Sequence, residues 1–241
     1  MLIGLLSGIF GIGGSIIATP ILKILFGFPD LIAIASPLPV TIPTAIGGLV
    51  GYWQKKSINT KVATATIIGG LPTTIIGSFM TKVISSKYLM VLTGIFVILV
   101  GLRLLNSSKL KNSEVKKDLP ILIKAFLIGV LCGIFSGLLA VGGGIILVPA
   151  FILILGLSMQ EAASTSLLCV AFFAIPGTLV HWGLHHIDWR LVLNLSIGVI
   201  PAGYIGAHVG TSINSQKLKT SFSIFLIIFG IYFILKQANI F

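Results

Sequence analysis

Two stretches, GLLSGIFGIGGSIIATP at 4–20 and GIFSGLLAVGGGIILVP at 133–149, decide how this chain is read. Laid one over the other, Gly4, Ser7, Gly8, Gly13, Gly14, Ile16, Ile17 and Pro20 match Gly133, Ser136, Gly137, Gly142, Gly143, Ile145, Ile146 and Pro149. The same offset of 129 residues pairs Trp53 with Trp182, Ile58 with Ile187, Gly69 with Gly198, Pro72 with Pro201, Gly77 with Gly206 and Gly101 with Gly230, without a gap. Shared apolar composition would not single out glycine, proline and tryptophan. The chain therefore reads as a duplication, with one repeat over 1–105, a basic connection over 106–120 and a second repeat over 121–241.

Composition sets the medium. Hydrophobic residues make up 56% of the 241 positions and charged residues 9%, where soluble globular chains carry roughly a quarter charged. Apolar runs lie near 2–28, 31–53, 62–81, 88–105, 121–156, 162–184, 191–213 and 220–235. They approach the roughly 20 residues that a bilayer core demands of a helix and lack the alternation of an outer-membrane barrel strand. Backbone groups in lipid must be satisfied internally, so helices are the spanning option left. The expected fold is an all-α polytopic membrane protein of eight helical segments in two halves of four. A water-soluble enzyme is excluded.

The net charge of +11 could suggest nucleic-acid binding in a soluble chain. Here the basic residues sit between apolar segments or at their edges, and they read as topology signals that place the 106–120 connection, with Lys109, Lys111, Lys116 and Lys117, in the cytoplasm. No basic n-region precedes the first apolar run, so no cleaved leader is expected. Only Met1 to Ile3 precede Gly4, whereas about a dozen apolar residues precede Gly133. Either the first helix is short or its start lies upstream. A homodimer is compatible with such a chain.

GIGGS (11–15) and VGGGI (141–145) interrupt apolar segments with consecutive glycines. Non-helical backbone at membrane depth is tolerated where it lines a cavity, and paired glycine breaks in two halves point to a transporter's central site. A helix restarting after each break offers unpaired N–H groups and a partial positive charge to an anion. Gly13, Gly14, Ser15, Gly142, Gly143 and Gly144 are therefore candidate substrate-binding residues. Hydroxyls cluster in the next segments at Ser36, Thr41 and Thr44 and at Ser164, Thr165 and Ser166; Ser36 pairs with Thr165 at the repeat offset, which adds both to the candidates. If all eight segments cross, the halves are parallel; if the broken segments re-enter, the halves are inverted. Inverted halves sharing a midplane site are the expectation.

The five acidic residues, Asp30, Glu114, Asp118, Glu161 and Asp188, lie at segment edges or in connections, leaving no obvious intramembrane carboxylate relay. Ser158 with Glu161 reads as a capping box. His208 is expected deep in a span, which makes it the candidate coupling residue. His181 and His185 stand at a metal-like spacing, but beside Trp182 and Trp189 they read as interfacial side chains, and no metal site or cofactor is expected. Cys132 and Cys169 read as small buried side chains. An intramembrane enzyme using Ser7 or Ser136 with His181 or His208 is the rival function. It fits a duplicated chain poorly, since neither histidine has a counterpart in the first half.

The breaks, with AASTSL (162–167) and HHIDWR (185–190), resemble the TauE/SafE family of sulfite-exporter-like membrane transporters over nearly the whole chain. The resemblance implies an inner-membrane transporter of small anions, with sulfite, sulfoacetate and related organosulfur anions as the associated substrates. The first half departs from the pattern in having Ser15 where the second has Gly144, Asn59 where it has Asp188, and a shortened start.

Overall fold

The computed structural model describes residues 1–53, 57–81, 86–106, 120–140 and 142–237; most of the basic connection lies outside the described residues. The described chain is helical: α1 Leu2–Phe10, α2 Ser15–Leu25, α3 Asp30–Ala35, α4 Pro37–Trp53, α5 Thr60–Met80, α6 Ser86–Asn106, α7 Ile121–Leu139, α8 Gly144–Leu155, α9 Met159–Gly183, α10 Trp189–Ser212 and α11 Ser215–Gln237. Among the described residues, five stretches are long and apolar enough to cross a membrane: Leu31–Trp53, Thr60–Met80, Ile121–Leu139, Met159–Gly183 and Trp189–Ser212. The chain is a multi-pass membrane protein.

Small residues set the packing, because without a hydrophobic force between helices in lipid, close backbone approach is what holds them. Gly4 and Gly8 of α1 lie on Val199 and Gly203 of α10, and Gly206 and Gly210 lie on Leu5 and Ile9. On the other side Gly129, Gly133 and Gly137 of α7 lie on Thr66, Gly70 and Thr74 of α5. Both registers ascend together, so α1 runs with α10 and α7 runs with α5. Gly47 on Ile200 and Gly51 on Tyr204 add α4 to the first set. Cys169 Sγ donating to the Ala63 carbonyl at 3.8 Å, with Phe173 on Gly70 and Gly177 near Thr74, adds α9 to the second. Leu167 on Gly48 and Leu38 on Gly177 descend, so the two sets run in opposite directions.

That arithmetic fixes what happens at the breaks. With α7 and α9 running the same way, α8 between them has to return. Gly143 accordingly lies beside Cys132 and Ser136, and Gly14 beside Ile3. The apolar runs at 2–28 and 121–156 are each a helix, a reversal and a second helix.

The glycine seams generate a stability prediction. A Cβ at Gly137 would strike the Thr74 carbonyl oxygen, whereas one at Gly183 meets nothing within 4 Å. Gly137→Ala should lower the melting temperature of detergent-purified protein by an amount matching about 1–3 kcal/mol of overpacking. Gly183→Ala should leave it within error, and equal shifts would contradict the seam.

Candidate functional site: two facing glycine breaks

The first break begins where α1 stops at Gly11 (φ 74°), continues through Gly13 (φ 82°) and Gly14 (φ 77°), and ends as Ser15 opens α2. The second begins at Ala140 (φ 49°), continues through Gly142 (φ 72°) and Gly143 (φ 76°), and ends as Gly144 opens α8. Left-handed backbone costs an L-residue roughly 1–2 kcal/mol, and two consecutive positions in each break explain the paired glycines.

The breaks abut. A Cβ on Gly144 would strike the Ile12 main chain at 2.6 Å. Gly13 and Gly142 both face the same two side chains, Thr41 of α4 and Val170 of α9, which are themselves 129 residues apart. Gly14 faces Ile3 and Thr44; Gly143 faces Cys132 and Phe173, their counterparts at that offset. Everything here is buried, Ile12 fully and Ser15 to 1% exposure.

Among the described residues, the amides of Gly13, Gly14, Gly142 and Gly143 donate to no main-chain carbonyl outside the helices. The Ser15 amide turns back to the Gly13 carbonyl at 3.0 Å. The carbonyl of Gly14 accepts from Ile17 and Ala18, and that of Gly143 from Ile146 and Leu147, which launches α2 and α8. Two helix N-termini, each equivalent to roughly half a positive charge, thus converge on one buried point. Of the acidic side chains, Glu161 is held in the Ser158 capping box and Asp188 caps α10 through the amides of Arg190 and Leu191.

The hydroxyls have other work. Ser36 accepts the Asp188 amide at 3.0 Å, and Thr165 accepts the Asn59 amide at 3.0 Å. These bonds are related by the 129-residue offset, and they fasten the N-cap of α10 to the junction of α3 and α4 and the N-cap of α5 to α9. Ser164 donates to the Ser57 carbonyl at 2.9 Å, and Ser166 donates to the Gly11 carbonyl at 2.9 Å, tying α9 to the first break. Thr41 and Thr44 bond their own helix, to the Pro37 and Val40 carbonyls.

The histidines occupy different settings. His208 is exposed on the outward face of α10, its ring stacked on Tyr204 with centroids 6.5 Å apart. His181, read as interfacial, is 3% exposed. Its Nδ1 lies 3.3 Å from Nδ1 of His186, while His185 is exposed. Among the described residues no three of His, Cys, Asp and Glu come together as a metal set. Ser7 and Ser136 are buried with no hydrogen-bond partner, so neither forms a nucleophile and base pair with a histidine. A groove of about 450 Å³ that includes Ile46, Val50, Trp53 and Leu168 is apolar and offers an anion nothing.

The sequence pattern of the family described as Sulfite exporter TauE/SafE matches residues 1–233. The chain belongs to the TauE/SafE family. A protein of Xylella fastidiosa (strain 9a5c) named probable membrane transporter protein is 28% identical, covering 98% of this chain and 92% of its own. Probable membrane transporter protein YunE of Bacillus subtilis is 26% identical, with 91% and 87% covered. Probable membrane transporter protein MJ0441 of Methanocaldococcus jannaschii is 25% identical, with 97% and 92% covered. No solved structure matches. Membership in this family makes the chain a membrane transporter.

Two features escaped sequence reasoning: the Thr41 and Val170 pair between the breaks, and the burial of His181. The first was within reach, because the repeat offset that pairs Ser36 with Thr165 also pairs Thr41 with Val170.

The fastening role of the hydroxyls is measurable. Thr165→Val leaves the Asn59 amide unpaired, and Ser36→Ala does the same to Asp188. Each should cost about 1–3 kcal/mol of stability, seen as a lower melting temperature. Anion affinity per folded molecule should stay unchanged, and a loss of affinity without destabilisation would make these hydroxyls ligands.

Proposed function

We propose that the chain transports small anions, sulfite or a related organosulfur anion such as sulfoacetate, across a cell's inner membrane. The substrate binds between the two glycine breaks, to the amides of Gly13, Gly14, Gly142 and Gly143 with Ser15 and Gly144 at the starts of α2 and α8. Residues 1–105 and 121–241 are inverted halves of four apolar segments each, joined by the cytoplasmic 106–120 connection. Two relations support the inversion. α1, α4 and α10 run opposite to α5, α7 and α9, so the counterpart pairs α1 and α7, α4 and α9, and α5 and α10 are antiparallel. The Ser36–Asp188 and Thr165–Asn59 bonds exchange places under the same relation.

The observation that carries the reading is the meeting of the breaks. Left-handed glycines, whose amides among the described residues meet no main-chain carbonyl outside the helices, and two helix N-termini come together at one buried point, and such a point attracts negative charge. Sulfite suits it because three oxygens can accept from donors on opposite sides. Gly13 and Gly142 reach each other's half through Thr41 and Val170, so rocking one half against the other would open the point to alternate sides. This is the recurring logic of inverted-repeat transporters.

Purified protein in liposomes should carry labelled sulfite, thiosulfate or sulfoacetate; no flux above empty liposomes across a broad anion panel would overturn the reading. Gly14→Ala and Gly143→Ala are the informative variants, since the nearest neighbours of an added Cβ lie 3.2 Å away. Each should lose about 1–2 kcal/mol to left-handed strain. Affinity per folded molecule should fall roughly tenfold as a charge-assisted amide bond is displaced. Reduced melting temperature with unchanged calorimetric affinity would assign the glycines to packing alone.

A further inference from the structure

Serine and threonine inside a helix commonly return their hydroxyl to the carbonyl four residues back. Thr41, Thr44, Thr74 and Ser223 do so here. Ser7, Ser78, Ser136 and Thr178 do not: their oxygens are buried and, among the described residues, have no hydrogen-bond partner. Buried polar groups in native proteins are almost always paired, so each exception needs a reason.

These exceptions are not scattered. Ser136 stands beside the second break, its Cβ 3.2 Å from where a Cβ on Gly143 would be. A Cβ on Gly137, the next residue, would strike the Ser78 main chain, and Ser78 Oγ lies 3.8 Å from where a Cβ on Gly177 would be. Thr178 follows Gly177, and α9 ends little more than a turn later at Gly183. Three unpaired hydroxyls, on α7, α5 and α9, thus lead in that order from the second break toward the end of α9.

The 129-residue offset makes this string one-sided. Ser136 has Ser7 as its counterpart, equally buried and equally without a partner. Ser78 has Ala207, and Thr178 has Leu49. One turn beyond Leu49, Tyr52 is fully buried and its hydroxyl donates to the Ile9 carbonyl at 3.1 Å, which ties α4 to α1. The hydroxyl next to the break is common to both halves, whereas the hydroxyls leading away from it belong to one.

We propose that Ser136, Ser78 and Thr178 line the passage by which a small oxyanion and its hydration water travel between the second break and the end of α9. A hydroxyl suits such a place, because it donates to an anion oxygen and accepts from water. Having no charge, it also lets go of what it binds, as a conducting path requires. Gly137 and Gly177 bring α7, α5 and α9 close enough to keep all three side chains buried in this structure. What passes rests on the anion reading; the passage itself can be tested without a transported substrate.

The substrate-free test uses Ser78→Cys and Thr178→Cys, which stay close in size to the residues replaced. In lipid nanodiscs both should be modified by the anionic reagent methanethiosulfonate ethylsulfonate several-fold faster than two controls. The first control is Leu49→Cys, at the counterpart of Thr178; the second is Ser223→Cys, at a buried serine whose hydroxyl is paired. Peptide mass mapping separates these sites from the native, buried Cys132 and Cys169. Unless both introduced cysteines outpace both controls, the passage is overturned. Ser78→Ala and Thr178→Val supply a second measurement. Each removes a buried hydroxyl that has no partner, so the melting temperature should hold or rise, while flux of labelled sulfite into liposomes should fall several-fold. A lower melting temperature, or unchanged flux beside a working parent, would equally count against the passage. A parent that carries no anion while the labelling pattern holds would instead sink the anion reading.

Discussion

An amide inside a bilayer has no water to turn to, and every feature of this molecule answers to that constraint. Helices meet it internally, which is why the described chain is helical. At Gly13, Gly14, Gly142 and Gly143 the main chain leaves the helix in a left-handed conformation, and the cost is tolerable only because the breaks are sealed by protein on all sides. Gly144 presses on Ile12, and Thr41 and Val170 wedge between Gly13 and Gly142. A polar centre of this kind cannot be closer to lipid without losing its shield.

The glycine seams follow from the same constraint. Bringing two breaks together requires the helices that carry them to sit deep in the opposite half, with α1 against α10 and α7 against α5. Side chains larger than glycine at Gly8 or Gly137 would hold those backbones apart. The seams are thus the means by which the breaks reach one another, and the Ser36 and Thr165 bonds pin the ends of the helices that frame them.

Much of this was legible in the sequence because glycine and proline are expensive where they do not belong. The apolar run at 62–81 falls close to Thr60–Met80 and that at 191–213 close to Trp189–Ser212, since both are bounded by polar connections. The reversals at the breaks were not legible. A continuous apolar run looks the same whether its helix goes straight on or doubles back, and only the neighbours of Gly14 and Gly143 distinguish the two. Hydroxyl partners were hidden for a similar reason, because Thr165 finds Asn59 across 106 residues of sequence. His181 looked interfacial beside Trp182; it is buried between the Gly137 main chain and His186, a packing fact with no local signature.

The pairing of early with late helices also bears on how the protein is made. The partner of α1 is α10, the partner of α7 is α5, and so α1 waits for a helix that is made much later in the chain. At about 5–20 residues per second, α1 spends on the order of ten to forty seconds without its surface. Throughout that interval the glycine face of α1 and the loose amides of the first break are in the membrane unshielded. The insertion machinery, or lipid headgroups drawn into the gap, has to cover them until the second half arrives. A chain whose early helices are packed against late ones therefore cannot mature piece by piece, and α1 finds its place only once α10 is in the membrane.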